Sequence, residues 1–157
     1  MRKWNFCAGP AAIPEEVLKE AQNELLEWNL SGSSVMEVSH RSDLFAEIAM
    51  SSTRDIKALL NIGDDHEVLF LQGGATLQFT SVPLNFAIKE SVVSYLDTGL
   101  WSKKAIAAAS KYTSVNVAAS SEESNYTYAP STQEWRVDPN SIYFHYVMNE
   151  TIQGLAI

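Results

Sequence analysis

A short, almost wholly apolar run that leads directly into two glycines most constrains the fold of this chain. Residues 67–72 (EVLFLQ) have the composition of a strand that is buried on both faces of a parallel sheet. Gly73 and Gly74 follow at once, and the spacing of apolar residues beyond them predicts a helix that Pro83 perturbs. A buried strand, a glycine turn and a helix in this order predict an α/β fold.

The alternation of strands and helices continues along the chain. Strands are predicted over residues 92–96, 114–119 and 142–147, and an alanine-rich helix is predicted over 101–111. Residues 119–133 are polar and without period, which predicts a surface loop. This order favours a sheet that is parallel at least in part, with ligands at the carboxyl ends of its strands.

The N-terminal part of the chain contains two predicted helices. Apolar residues recur at helical spacing over 14–28, and a second helix is predicted to begin after Ser42 as N-cap and to end in a turn over 61–65. Between them, residues 35–41 are predicted to be extended or irregular.

Composition and charge exclude several classes of function. The chain has 157 residues, of which 46% are hydrophobic and 19% charged, as expected for about one globular domain. Its net charge of −8 argues against a broad surface for nucleic acid or an anionic membrane, so any bound anion must be held locally. Cys7 is the only cysteine, so neither an intrachain disulfide nor a cysteine zinc cluster is expected, and no apolar run is long enough to cross a membrane. We therefore expect a soluble cytoplasmic protein without a metal site.

The glycine turn is the first candidate binding site. Amide groups at the start of a helix point outward unpaired, so Ala75 and Thr76 are placed to bind a phosphate through their backbone and the threonine hydroxyl. The alternative is an ordinary turn between a strand and a helix, and the pattern matches neither the Walker nor the dinucleotide fingerprint.

Other candidates also lie at predicted strand ends or loops. His40 and Arg41 form a pair that can grip a carboxylate or phosphate, or a pair that is merely solvated. Trp101 can stack on a planar ring or belong to the core, and Thr151 can bind a ligand or cap a turn. His145 has no metal-ligand spacing to other candidates and is interpreted as structural. Together these positions favour a small, planar, anionic ligand.

Six segments of the chain resemble the phosphoserine aminotransferase family in sequence, order and spacing. They are NFCAGPA (5–11), SVMEVSHR (34–41), FLQGGATLQF (70–79), VPLN (82–85), DTGLWS (97–102) and HYVMNETIQG (145–154).

The resemblance implies an activity, a cofactor and partners. Members of that family adopt the type I pyridoxal 5′-phosphate aminotransferase fold and work as homodimers with active sites at the subunit interface. They transfer an amino group from L-glutamate to 3-phosphohydroxypyruvate, giving O-phospho-L-serine and 2-oxoglutarate. The resemblance thus implies serine biosynthesis, and in many bacteria a second role in pyridoxine biosynthesis.

The resemblance also assigns roles to the candidate residues. Ala75 and Thr76 would hold the cofactor phosphate, Trp101 would stack on the pyridine ring, and Thr151 would hydrogen-bond on the side of the ring's phenolic oxygen. His40 and Arg41 would bind the distal phosphate or carboxylate of the substrate.

Family members are more than twice as long as this chain. We therefore expect residues 1–157 to be an N-terminal segment, mainly part of the large cofactor-binding domain, without the remainder of that domain and the small C-terminal domain. None of its lysines occupies the position of the lysine that binds the cofactor covalently, so we assign no catalytic residue and expect this segment alone to be inactive. Two alternatives are a noncatalytic phosphate-ligand-binding module built on the same half-fold and, with less support, a flavodoxin-like binding protein.

Overall fold

The computed structural model describes residues 2–157, which divide into two units, one up to Phe70 and one over Leu71–Ile157. The first unit contains helix α1 (Glu15–Asn23), a 3-10 helix (Val35–Glu37) and helix α2 (Asp43–Leu60). The predicted bounds of α2 are confirmed. The Ser42 hydroxyl caps its first turn at 3.3 Å from the Phe45 amide nitrogen, and Asn61 ends it in the left-handed region.

Helix α1 is shorter than the sequence predicts. It ends at Asn23, whereas apolar spacing predicts a helix over 14–28. Asparagine is a poor helix former, and the Trp28 amide donates to the Ser33 carbonyl at 2.9 Å instead of continuing the helix. The apolar spacing of residues 24–28 therefore reflects a turn and not a further helical face.

The second unit is an α/β unit. Its elements, in chain order, are α3 (Gly74–Phe86), β1 (Val92–Asp97), α4 (Leu100–Ala109), β2 (Ser114–Ser120), a 3-10 helix (Glu122–Ser124), β3 (Ser141–His145), β4 (Asn149–Glu150) and β5 (Leu155–Ala156). Strands β2, β1 and β3 form a parallel sheet in that order, and β4 pairs antiparallel with β5. The three predicted strands beyond residue 90 and both predicted helices of this region are confirmed.

The predicted strand over residues 67–72 is wrong. These residues belong to no strand, and Leu69, Phe70 and Leu71 are 62–71% exposed. An apolar run indicates that side chains are to be buried, but a strand also needs a neighbour for its backbone groups. None of the strands in the described part of the chain pairs with this run.

Helix α4 and strand β1 form the core of the second unit. Val93 and Tyr95 of β1 are buried against Ala105 and Ala109 of α4, whose small side chains allow close packing. The Tyr95 hydroxyl forms a hydrogen bond with that of Tyr143 on β3 at 2.9 Å, which ties the central strand to its neighbour.

Helices long and apolar enough for a membrane span do not occur among residues 2–157.

Candidate functional site

A cavity of about 480 Å³ lies within the second unit, where β1 and β3 end and α3 begins. The strand order is β2-β1-β3, so β2 and β3 lie on opposite sides of β1 and the direction in which the chain adds strands reverses at β1. In parallel sheets, ligand crevices form outside the carboxyl ends of the strands at the point where the strand order reverses. The cavity of this chain is lined by Gly73, Gly74, Ala75, Thr76, Phe79, Trp101, His145, Tyr146, Val147, Asn149 and Thr151.

The N-terminus of α3 opens onto this cavity. Gly73 has a φ of 94°, and a Cβ atom there would lie 2.6 Å from the Cβ of Leu77, so only glycine fits. A Cβ on Gly74 would meet no atom within 4 Å, which leaves space beside the first turn. The first amides of a helix have no partner within it, so those of Ala75 and Thr76 form a positive end suited to an anion.

Trp101 and Thr151 contact each other on the wall of the cavity. The Trp101 indole nitrogen donates a hydrogen bond to the Thr151 hydroxyl oxygen at 2.8 Å. That hydroxyl keeps its own proton to donate and a second lone pair to accept with. The Lys104 ammonium lies over the indole ring, 4.6 Å from the ring centroid, but Lys104 does not line the cavity. The Trp101 indole therefore contacts the Lys104 ammonium outside the cavity and also forms part of the cavity wall.

The N-terminus of α4, unlike that of α3, is filled by protein side chains. The buried Glu150 carboxylate accepts from the Trp101 amide through Oε2 and from the Ser102 amide through Oε1, both at 2.8 Å. The Leu100 amide donates to Oε1 of Gln153 at 3.2 Å. The open helix end at this cavity is therefore that of α3.

His145 lines the cavity although the sequence analysis interprets it as structural. Its ring stacks on Tyr95 with the centroids 4.6 Å apart, and burial lowers the pKa of the imidazole below its usual range. Its buried Nδ1 has no hydrogen-bond partner among the described residues. The signal that sequence reasoning missed is its position at the carboxyl end of β3, the same kind of position that identified Trp101 after β1.

The six predicted site residues fall into two groups. Ala75, Thr76, Trp101 and Thr151 line the same cavity of the second unit.

His40 and Arg41 lie in the first unit, in the turn that precedes α2. Both are exposed, and the Arg41 amide donates to the Ser39 hydroxyl at 3.3 Å. Within residues 2–157 no carboxylate pairs with the Arg41 guanidinium, which leaves its donors available.

Comparison with known proteins gives the family. The model of the class-V aminotransferases matches residues 3–157, so this chain belongs to the class-V aminotransferase family. It is 52% identical over 154 residues to the phosphoserine aminotransferase of Hahella chejuensis and 53% identical over 154 residues to that of Pseudomonas aeruginosa. In each comparison the alignment covers 98% of this chain but 43% of the relative, so the chain spans less than half the length of these proteins.

Solved structures agree with this assignment. A phosphoserine aminotransferase studied for radiation damage of its Schiff base superposes with a TM-score of 0.91 at 40% identity, covering 99% of this chain and 43% of that one. A PLP-bound phosphoserine aminotransferase from Trichomonas vaginalis superposes with a TM-score of 0.88 at 39% identity, covering 98% and 43%. The fold predicted from sequence, the N-terminal part of an aminotransferase fold with a parallel sheet flanked by helices, is confirmed.

Proposed function

We propose that the gene product carrying this chain transfers the amino group of L-glutamate to 3-phosphohydroxypyruvate, giving O-phospho-L-serine and 2-oxoglutarate, with pyridoxal 5′-phosphate as cofactor. The observation that carries the proposal is one cavity in which the open N-terminus of α3 meets Trp101 and Thr151. The chain around it is about half identical to proteins that bear the name of this activity.

The cavity fits a planar phosphorylated cofactor. Its volume of about 480 Å³ lies in the range typical of small-molecule sites. A phosphate needs hydrogen-bond donors, and the α3 amides beside the empty space at Gly74 supply them. A pyridine ring needs a flat apolar neighbour, and the Trp101 indole provides one.

Four of the lining residues then have distinct tasks. The amides of Ala75 and Thr76, together with the Thr76 hydroxyl, bind the phosphate, and Trp101 stacks on the ring. The Thr151 hydroxyl already holds the indole and has one proton left to donate to the ring's phenolic oxygen. When bound, pyridoxal phosphate supplies an electron sink for amino-group transfer, and this chain's residues bind and orient it.

His40 and Arg41 are proposed to bind the substrate. A guanidinium recognises a carboxylate or a phosphate with two parallel hydrogen bonds, and Arg41 is exposed and without an ion-pair partner in the described chain. Both substrates carry a carboxylate, and the acceptor also carries a phosphate, so one cationic group serves both halves of the reaction.

The wider setting belongs to the same proposal. We infer that the protein acts in the cytoplasm, as its single cysteine favours, and as a homodimer with active sites at the subunit interface. Serine biosynthesis is its proposed pathway. A second role in pyridoxine biosynthesis would use a related phosphorylated substrate.

The test is an assay of the complete gene product loaded with pyridoxal phosphate. We expect 2-oxoglutarate and O-phosphoserine to form in equal amounts from glutamate and 3-phosphohydroxypyruvate. Hydroxypyruvate, which lacks the phosphate, is the matched control and is expected to react at least ~10-fold less efficiently, since it leaves the phosphate-binding groups unpaired. Absence of turnover with the phosphorylated acceptor, in protein that has bound the cofactor, would contradict the proposal.

One observation favours a second candidate, a noncatalytic module that binds a phosphorylated ligand. The described residues that line the cavity include no lysine, so the cavity alone would hold the cofactor without a covalent bond. Borohydride reduction and peptide mapping of the loaded gene product separate the two. A pyridoxyl group on a lysine favours the transaminase, and a fully reversible complex favours the module.

A further inference from the structure

Glu150 is the most deeply buried acidic residue beside the cavity, and the sequence analysis gives it no role. Its side chain is 0% exposed. Among residues 2–157 no lysine, arginine or histidine forms an ion pair with it. A buried carboxylate without a cation needs other donors, and here two backbone amides of α4 supply them at 2.8 Å each.

The two amides that Glu150 binds include that of Trp101 itself. The neighbouring residue, Thr151, accepts from the Trp101 indole nitrogen at 2.8 Å. Consecutive residues of one segment thus hold both the backbone and the side chain of the tryptophan, although they lie about 50 positions away in the sequence.

The absence of a side chain at Gly99 leaves space for the Glu150 carboxylate at the N-terminus of α4. A Cβ atom on Gly99 would lie 2.7 Å from both Cδ and Oε2 of Glu150. Because that distance is shorter than real Cβ contacts, any side chain there would displace the carboxylate from the α4 N-terminus.

We propose that Glu150 is a positioning residue for the cofactor: by holding the first turn of α4, it fixes the Trp101 indole at the angle at which it stacks on the pyridine ring. This inference rests on the proposed function, since it takes pyridoxal phosphate as the ligand of the cavity. Glu150 touches no cofactor atom in this account and acts only through Trp101.

The test is a double-mutant cycle in the complete gene product, read out as the dissociation constant of pyridoxal phosphate and the visible circular dichroism of the bound cofactor. Glu150→Gln keeps the shape of the side chain but replaces one accepting oxygen by a donor, which cannot pair with the second amide. We expect it to weaken cofactor binding by roughly 10-fold and to reduce the dichroic band. Glu123→Gln makes the same change on an exposed carboxylate that has no ion pair in the described chain, and it is expected to leave both readouts unchanged.

The background variant Trp101→Ala separates positioning from mere structural support. If Glu150 acts through Trp101, Glu150→Gln has no further effect on cofactor affinity once the indole is gone. Equal effects of Glu150→Gln with and without the indole would overturn the inference. Should Glu150→Gln not fold, Glu150→Asp, which keeps the charge but shortens the side chain, replaces it in the same cycle and is judged by the same criterion.

The failures of the two proposals are distinguishable. If the wild-type protein does not bind pyridoxal phosphate, the proposed function fails and takes this inference with it. If the wild type binds and Glu150→Gln binds equally well with an unchanged dichroic band, only the role of Glu150 fails.

Discussion

Thr76 lines the candidate site and is proposed to bind the phosphate in two ways, through its amide and through its hydroxyl. Thr76→Ala keeps the amide and removes the hydroxyl, so we expect the dissociation constant of pyridoxal phosphate to rise roughly 10-fold, the effect of one hydrogen bond to a charged group. Thr80→Ala makes the same change one helical turn later on α3, outside the lining of the cavity, and should leave the constant unchanged. Similar losses in the two variants would contradict a phosphate site at the start of α3.

Arg41 is expected to affect substrate affinity and not cofactor binding. Arg41→Ala removes a bidentate donor, so we expect the KM for the phosphorylated substrate and for glutamate to rise by about 10-fold or more, while the absorbance of the bound cofactor stays intact. Steady-state kinetics of the complete gene product measure this, with Arg54→Ala on the exposed face of α2 as control. Loss of bound cofactor in Arg41→Ala would mean that Arg41 belongs to the cofactor site instead.

We expect His145 to make the folding stability depend on pH. Burial lowers the pKa of this imidazole in the folded state, so the unfolded chain takes up a proton at higher pH than the folded chain does. The His145 contribution is therefore fully present above the ordinary pKa of 6.5 and is lost as the pH falls toward the lowered value.

The matched measurement is urea unfolding of wild type and His145→Phe at about pH 7.5 and about pH 5. Phenylalanine keeps a ring beside Tyr95 but cannot titrate, so we expect the variant to lose less stability on acidification, by at most about 1.4 kcal/mol per pH unit. An unchanged slope in His145→Phe would show that the imidazole does not titrate differently on folding.

At the scale of elements, Ser42 is the N-cap residue of α2, and its side chain is expected to stabilise the helix. Ser42→Ala removes the hydroxyl that accepts the Phe45 amide, and we expect the free energy of unfolding to fall by about 1 kcal/mol. Ser51→Ala makes the same change in the middle of the helix, where alanine is the better helix former, and should cost less. The reverse order in urea unfolding would show that the cap is not a stabilising contact.

Sequence patterns predict some of the helices and strands of this chain and not others. An apolar run between two helices predicts the strand over 92–96, and that strand forms with a strand on each side of it. The run over 67–72 is also apolar and also lies between helices, but no strand of the described chain pairs with it, which the sequence pattern cannot reveal. Apolar periodicity likewise misplaced the end of α1, where the backbone leaves the helical conformation at Glu24.

Residues of the candidate site could be predicted where the pattern lies in adjacent residues, but not where it depends on contacts between residues far apart in the sequence. Ala75 and Thr76 follow from a glycine turn before a helix, a pattern contained in a few adjacent residues. Glu150 could not be found in this way, because the helix end that it caps lies 48 or 49 residues earlier in the chain. His145 could have been found from its position at the carboxyl end of a predicted strand, whereas its stacking on Tyr95 of another strand could not.

At the scale of the whole chain, the proposed cofactor is an anion and residues 1–157 carry a net negative charge. The net charge of −8 opposes approach of a phosphate, and no lysine or arginine is among the residues that line the cavity. In the proposed site, binding would therefore depend on directed amide hydrogen bonds and the α3 dipole, which act over the first turn only. The phosphate group should consequently account for a large part of cofactor affinity.

The most direct test of this account is a titration of the complete gene product with pyridoxal phosphate and, in parallel, with pyridoxal, which lacks the phosphate. We expect saturable binding of pyridoxal phosphate that is at least ~100-fold tighter than that of pyridoxal, the effect of two hydrogen bonds to a charged group. Equal affinities for the two compounds, or no saturable binding of either, would contradict a cofactor site at the N-terminus of α3.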